Sequence, residues 1–217
     1  AAIAFVISRI FPTKFIYDRR GIMGYDYIEG GMWPRNNVIT RIMFTLVNAL
    51  DKRFLLFSDY TVVLTHRIAE ILRNDFLPRK RKLKIKVIPC CVDLNRFQYR
   101  KKDIVSFSDL DISKKFILLY IGSLGSWYML REMVDFFLEM KRYKQNAHLL
   151  VMTLSDHNFA ESIFRKKNLN IEDYTIIGKK FEDMPDYIAS ADVAIMFIMP
   201  VFSKIASCPT KFGEYLA

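Results

Sequence analysis

The chain has 217 residues, 52% of them hydrophobic and 26% charged, with a net charge of +10. That length allows one large or two small domains, and that composition buries a core, which excludes a disordered chain. The longest apolar runs, Ala1 to Ile7 and Val193 to Met199, are too short to span a bilayer.

Ala1 to Ile7 has no basic segment before it and no small-residue cleavage site, so it makes a poor signal peptide. The three cysteines, two of them adjacent (Cys90, Cys91), fit neither a disulfide framework nor a zinc spacing. A reducing, cytoplasmic setting follows. The positive charge favours an anionic partner: phosphate, nucleotide, acidic lipid or nucleic acid. The chain opens on Ala1-Ala2-Ile3 rather than Met and closes inside what reads as a helix. It is expected to be the middle piece of a longer protein.

In chain order, Lys14 to Tyr17 is a short apolar run that reads as a buried strand. Asp18-Arg19-Arg20-Gly21 opens a long loop to Pro34, rich in glycine and aromatic residues. Val38, Ile42, Leu46 and Leu50 recur at helical spacing, giving a helix that ends near Phe57. Tyr60 to Leu64 is a strand, His66 to Asn74 a helix, and Ile85 to Ile88 a strand ended by Pro89. The polar stretch Asp93 to Ser113 reads as a linker and the entry to a second unit, dividing the chain into 1–92 and 93–217. Phe116 to Ile121 is a strand, Trp127 to Lys144 a helix, Ala147 to Thr153 a strand and Asn158 to Lys167 a helix. Tyr174 to Ile177 is a strand, Met184 to Ser190 a short helix capped by Asp183, and Ala191 to Phe197 a strand. Thr210 begins a last helix. Such alternation builds a parallel sheet with helices on both faces, which takes ligands at the carboxyl ends of its strands.

Several residues could carry chemistry. Gly122-Ser123-Leu124-Gly125 joins a strand to a helix. Small residues there let the backbone approach a phosphate, yet the same residues suit an ordinary tight turn. Lys211 and Glu214 stand at i and i+3, on one helix face, as a phosphate cation with a carboxylate for sugar hydroxyls, or as a surface ion pair. Asp18 could serve as base or orienter and Arg20 as phosphate clamp; the plainer reading is a salt bridge that holds the loop. Asp109 and Asp111 match a metal-binding carboxylate pair in type, but a solvated turn explains them, and no metal is expected. The basic run Pro78 to Lys86 is a solvated face or a contact with an anionic membrane. No aromatic stacking platform accompanies it, which disfavours nucleic acid. His66, His148 and His157 show no ligand or triad spacing.

Taken together, these segments resemble one family. Val87-Ile88-Pro89-Cys90-Cys91-Val92-Asp93-Leu94-Asn95-Arg96-Phe97 is similar to the interdomain segment V-I-P-N-G-V-D-x-x-x-F of the retaining glycosyltransferases of family four, with two cysteines in place of Asn-Gly. Leu118 to Gly125 resembles the first strand and glycine loop of their second domain, and Ala191-Asp192-Val193-Ala194 their late A-D-V strand. Ser207 to Ala217 resembles their K-x-x-E-Y-L/M-A helix, and Ile16 to Gly21 a D-x-R-G segment of some members.

The resemblance implies a GT-B architecture: α/β, two Rossmann-like domains with parallel sheets, both incomplete in this chain. It implies that 1–92 is the later part of an acceptor-side domain and 93–217 the earlier part of a nucleotide-sugar donor domain. It implies transfer of a sugar from a nucleotide-diphosphate-sugar to a glycan or lipid-linked acceptor, in polysaccharide or glycolipid biosynthesis, with no metal or other cofactor. Glu214 matches the second glutamate of an E-x₇-E motif and would contact the donor ribose. Gly122 and Ser123 would sit by the diphosphate with Lys211 nearby, and Asp18 and Arg20 are the candidate catalytic pair.

Two positions depart from the pattern. Ala206 stands where the first glutamate belongs, and Ser126-Trp127-Tyr128 stands where a basic residue usually follows the loop. A non-catalytic module that binds nucleotide or anionic lipid is therefore the alternative. The chain as it stands is expected to be inactive alone, and to work in the cytoplasm or at the inner face of the membrane.

Overall fold

The computed structural model describes residues 1–74, 83–98, 112 and 114–217. They form two units: Ala1–Cys90 with Pro200–Pro209, and Cys91–Met199 with Thr210–Ala217.

The first unit runs α1 (Ala2–Ile10), β1 (Ile16–Arg19), α2 (Met23–Glu29), α3 (Val38–Phe57), β2 (Tyr60–Val63), α4 (His66–Asn74) and β3 (Ile85–Val87). Its three strands are parallel in the order β1-β2-β3, with Tyr17 beside Thr61 and Val63 beside Val87. β1 alternates: Ile16 and Asp18 face out, while Tyr17 and Arg19 face in. Arg19 is 2% exposed and makes a bidentate pair with Asp51 of α3 at 2.9 and 3.0 Å. The Tyr17 hydroxyl donates to the same carboxylate at 2.6 Å. Three polar contacts on one side chain thus fix α3 against β1. The segment Pro200–Pro209 docks through a 3₁₀ turn, Phe202–Ala206. There the Lys204 ammonium meets Asp26 at 2.8 Å, and Thr65 donates to the Ile205 carbonyl at 2.7 Å.

The segment read as an open loop from Gly21 to Pro34 contains α2. Gly24 explains it, since a Cβ there would lie 3.0 Å from Phe44 and 3.1 Å from Asn48. Without one, α2 packs closely on α3. The run Ala1 to Ile7, assigned to no element, belongs to α1, which buries none of its residues.

The second unit runs β4 (Phe116–Ile121), α5 (Leu130–Tyr143), β5 (Ala147–Met152), α6 (His157–Lys166), β6 (Tyr174–Ile177), α7 (Met184–Ser190), β7 (Val193–Ala194) and α8 (Thr210–Leu216). All four strands are parallel, in the order β6-β5-β4-β7. Every residue of β5 is buried, as expected for a parallel strand covered on both faces. Leu118 and Tyr120 of β4 pack on one face with Met133, Phe137 and Phe164. Ile117 and Leu119 pack on the other with Tyr187.

Three boundaries differ from the sequence reading, and two share a cause. α5 begins at Leu130 rather than Trp127, and β7 is shorter than the strand expected over Ala191 to Phe197. The chain leaves the sheet after Ile195, whose amide donates to the Leu119 carbonyl at 2.8 Å. Ile198 then bridges Tyr128, and the Met199 amide donates to the Trp127 carbonyl at 2.8 Å. Backbone pairing of 127–129 with 197–199 thus replaces both the helix start and the strand end. Third, Asp183 precedes α7 but does not cap it; its carboxylate accepts from the Lys180 amide at 3.2 Å.

Replacing Asp51 with alanine would leave the Arg19 guanidinium in the core without its carboxylate. We expect Asp51→Ala to destabilise the first unit by roughly 3–5 kcal/mol, read as a lower urea midpoint at unchanged slope.

Candidate functional site

β4 ends at Ile121, and Gly122 turns the chain with φ 143°, a conformation L side chains rarely adopt. Two side chains hold the loop that follows. The Tyr120 hydroxyl donates to the Ser123 carbonyl at 2.6 Å, and the Leu124 amide donates to Ser155 Oγ at 3.0 Å.

A cavity of about 460 Å³ opens beside this loop. Its walls are Gly122 and Ser123 after β4, Thr153 and Ser155 after β5, Lys179 after β6, and Glu214 of α8. It therefore sits at the carboxyl ends of three adjacent parallel strands, where open α/β sheets bind ligands. α8 is brought there by Tyr215, whose hydroxyl accepts from the Ile121 amide at 3.0 Å.

Lys211 does not line the cavity; its ammonium lies against Gly122, where a Cβ would collide with it. The ammonium stands 3.8 Å from the centre of the Tyr128 ring and 5.2 Å from that of Tyr120. Burial pushes this amine down to about 8, opposed by the charge of Glu214. Burial pushes the Glu214 carboxyl up, opposed by Lys211. The lysine and glutamate that share a helix face in sequence thus divide their work: Glu214 faces the cavity and Lys211 faces two rings.

Asp18 and Arg20 belong to the first unit, at the end of β1. Arg20 Nε donates to Asp18 at 2.9 Å, and both side chains are exposed. The Asp18 carboxylate holds the guanidinium above its ordinary range. Ala206, where the family pattern has a glutamate, is 1% exposed in the first unit's core with Ile22, Leu55 and Ile68. A carboxylate there would be buried at high cost. Asp109 and Asp111 lie outside the described residues, as does the basic run up to residue 82. Among the described residues, no helix is long and apolar enough to cross a membrane.

Tyr120, Tyr128 and Tyr215 were not read as site residues. Tyr120 falls within the strand expected over Phe116 to Ile121, Tyr128 within the helix expected from Trp127, and Tyr215 within the segment that resembles the K-x-x-E-Y-L/M-A helix. The one available signal was their spacing from the glycine loop and from Lys211.

No protein-family profile matches the chain, and no curated protein matches it in sequence. Solved structures match it in fold. Sucrose-phosphate synthase of Thermosynechococcus elongatus aligns with TM-score 0.67 at 18% identity, over 89% of this chain and 46% of its own. Anabaena Alr3699/HepE, solved in complex with UDP and glucose, aligns with TM-score 0.60 at 14% identity, over 89% of this chain and 48% of that one. WaaG, a glycosyltransferase involved in lipopolysaccharide biosynthesis, aligns with TM-score 0.57 at 15% identity, over 83% and 49%. This chain spans about half the length of the solved structures it matches. At these identities the likeness is one of fold: the α/β architecture with parallel sheets is that of the GT-B glycosyltransferases.

The low Lys211 value makes a pH prediction. Between about 8 and 10.5 the folded chain has released this proton and the unfolded chain has not, so stability from this site rises with pH across that window. The raised Tyr120 and Tyr215 hydroxyls act in the opposite direction only at higher pH, where unfolded tyrosine ionises. The urea midpoint of the second unit should therefore gain from pH 8 to pH 9.5, and Lys211→Met should remove that gain.

Proposed function

We propose that the chain is part of a glycosyltransferase that moves a sugar from a nucleotide-diphosphate-sugar to an acceptor, with the second unit on the donor side and the first on the acceptor side. The observation that carries this reading is the cavity at the ends of β4, β5 and β6, where a glycine turn and a carboxylate from α8 meet. The solved complex of a fold neighbour with UDP and glucose supports the ligand class.

In this reading Glu214 accepts from the ribose hydroxyls. Gly122 and Ser123 let the backbone approach the diphosphate, and Lys211 supplies positive charge behind them. Transfer with retention places its demand on stabilising the departing diphosphate, which fixed charges and dipoles in a partly desolvated site do best. Asp18 and Arg20 are the proposed catalytic pair of the acceptor side, Asp18 as base or orienter and Arg20 as anion clamp. The net charge of +10 favours a lipid-linked or surface-polysaccharide acceptor at the inner face of a membrane.

A second reading, nucleotide binding without transfer, draws on Ala206. The family position that would add a carboxylate is a methyl group in the first unit's core. Sugar transfer or donor hydrolysis by the full-length protein would exclude it.

Titration calorimetry with UDP and GDP tests the donor assignment. One nucleotide should bind, and Glu214→Ala should weaken it by about tenfold, the loss of hydrogen bonds to a charged acceptor. Equal affinity of the variant and the wild type would remove Glu214 from the ribose.

A further inference from the structure

We propose that Tyr128 and Tyr120 form an aromatic clamp that presents the Lys211 ammonium to the glycine loop as an un-neutralised cation, making both tyrosines positioning residues for a phosphate-bearing ligand. The anion role rests on the nucleotide-diphosphate reading above; the clamp itself rests on geometry.

A cation paired with a carboxylate is fixed in place, but its charge is cancelled for any incoming anion. An aromatic face attracts the same cation through its quadrupole and leaves the full charge in place. The Lys211 ammonium stands 3.8 Å from the Tyr128 ring centre and 5.2 Å from the Tyr120 ring centre. Besides these two rings, Glu214 on the same helix acts on the ammonium through its charge. Glu214 turns to the cavity wall instead.

Each part of the clamp is held by something else. Tyr120 is fully buried, and its hydroxyl is spent on the Ser123 carbonyl, so one ring binds the loop and steadies the cation together. Tyr128 packs edge-on against Tyr120 at 6.1 Å, and its backbone bridges both Gly125 and Ile198. Ser126, with φ 53°, and Gly125, with φ 83°, make the turn that brings Tyr128 round. Gly122 completes the arrangement, because any side chain there would displace the ammonium. The segment Ser126-Trp127-Tyr128, which carries no basic residue, thus contributes to cation placement through a ring rather than a charge.

The test uses the full chain as wild type, Tyr128→Phe, Tyr128→Leu, Lys211→Met and Tyr128→Leu/Lys211→Met. Calorimetry at pH 7 measures inorganic pyrophosphate and UDP. NMR of reductively ¹³C-methylated lysines reads the Lys211 methyl signal. A ring face at this distance should shift that signal upfield. Tyr128→Phe should keep the shift and bind within about twofold of wild type; Tyr128→Leu should remove most of the shift, leaving the smaller part from the more distant Tyr120 ring, and weaken pyrophosphate about fivefold. In the Lys211→Met background, Tyr128→Leu should change affinity no further. A shift left unchanged by Tyr128→Leu overturns the clamp. A further loss in the Lys211→Met background overturns the claim that the ring acts through the lysine. If the wild type shows the upfield signal but binds neither pyrophosphate nor UDP, the clamp stands and the nucleotide reading fails with the anion role.

Discussion

One hydrogen bond organises the candidate site. The Tyr215 hydroxyl accepts the amide of Ile121, the last residue of the central strand β4. A parallel strand spends most of its amides on its neighbours in the sheet, and those near its ends need partners from elsewhere. Tyr215 supplies that partner from a helix some ninety residues further on. It thereby carries the rest of α8 to the same place. Lys211, one turn earlier, reaches Gly122, and Glu214 reaches the cavity. Without this anchor, a glycine turn and a lysine–glutamate helix would be unrelated features of the chain.

The sheet beneath the anchor is fixed at its opposite end by a carboxylate. Asp192 accepts the Ile117 amide at 2.7 Å and sets β7 beside the start of β4. The two side chains thus satisfy backbone donors near either end of one strand. Between them, β4 and β5 are buried on both faces, so their register cannot slip without moving whole apolar layers into the wrong face. That rigidity gives the loops at the carboxyl ends a fixed base. It also explains why the site's chemistry stands on turns while its geometry comes from the strands.

Much of this was legible in the residues. Phe116 to Ile121 and Ala147 to Thr153 read as strands of a parallel sheet because strands alternate with helices along the second half of the chain. The long helix from Val38 to Phe57 read from its period alone. What failed to read was decided by partners distant in sequence. α2 depends on Gly24 meeting Phe44, twenty residues away, and its glycine and aromatic content gives a local pattern of loop. The start of α5 and the end of β7 depend on each other, since 127–129 pair with 197–199. Asp183 looked like a cap from its place before a helix, yet it prefers a nearer amide. Arg19 stands between the candidates Asp18 and Arg20, and period-two alternation from Tyr17 turns it inward. Strand–helix order puts the Gly122 loop and the Lys211 turn at the carboxyl ends of the strands, and the resemblance groups Ser123 and Glu214 with them; that Glu214 lines the cavity while Lys211 turns to two rings is not legible in the sequence.

The two departures from the family pattern have different physical standing. At Ala206 the backbone itself is committed: the residue closes a 3₁₀ turn packed in the first unit's core, and an ionised side chain there would have to be desolvated or expel the turn. No local change of rotamer restores a carboxylate. At Ser126-Trp127-Tyr128 no basic residue stands, and the cation beside the glycine loop comes from α8. The loop contributes a ring, the helix contributes the cation, and the ring leaves that cation's charge available. Burial works against the protonated form of Lys211, and the ring faces of Tyr128 and Tyr120 favour it, so the two effects oppose each other at this amine.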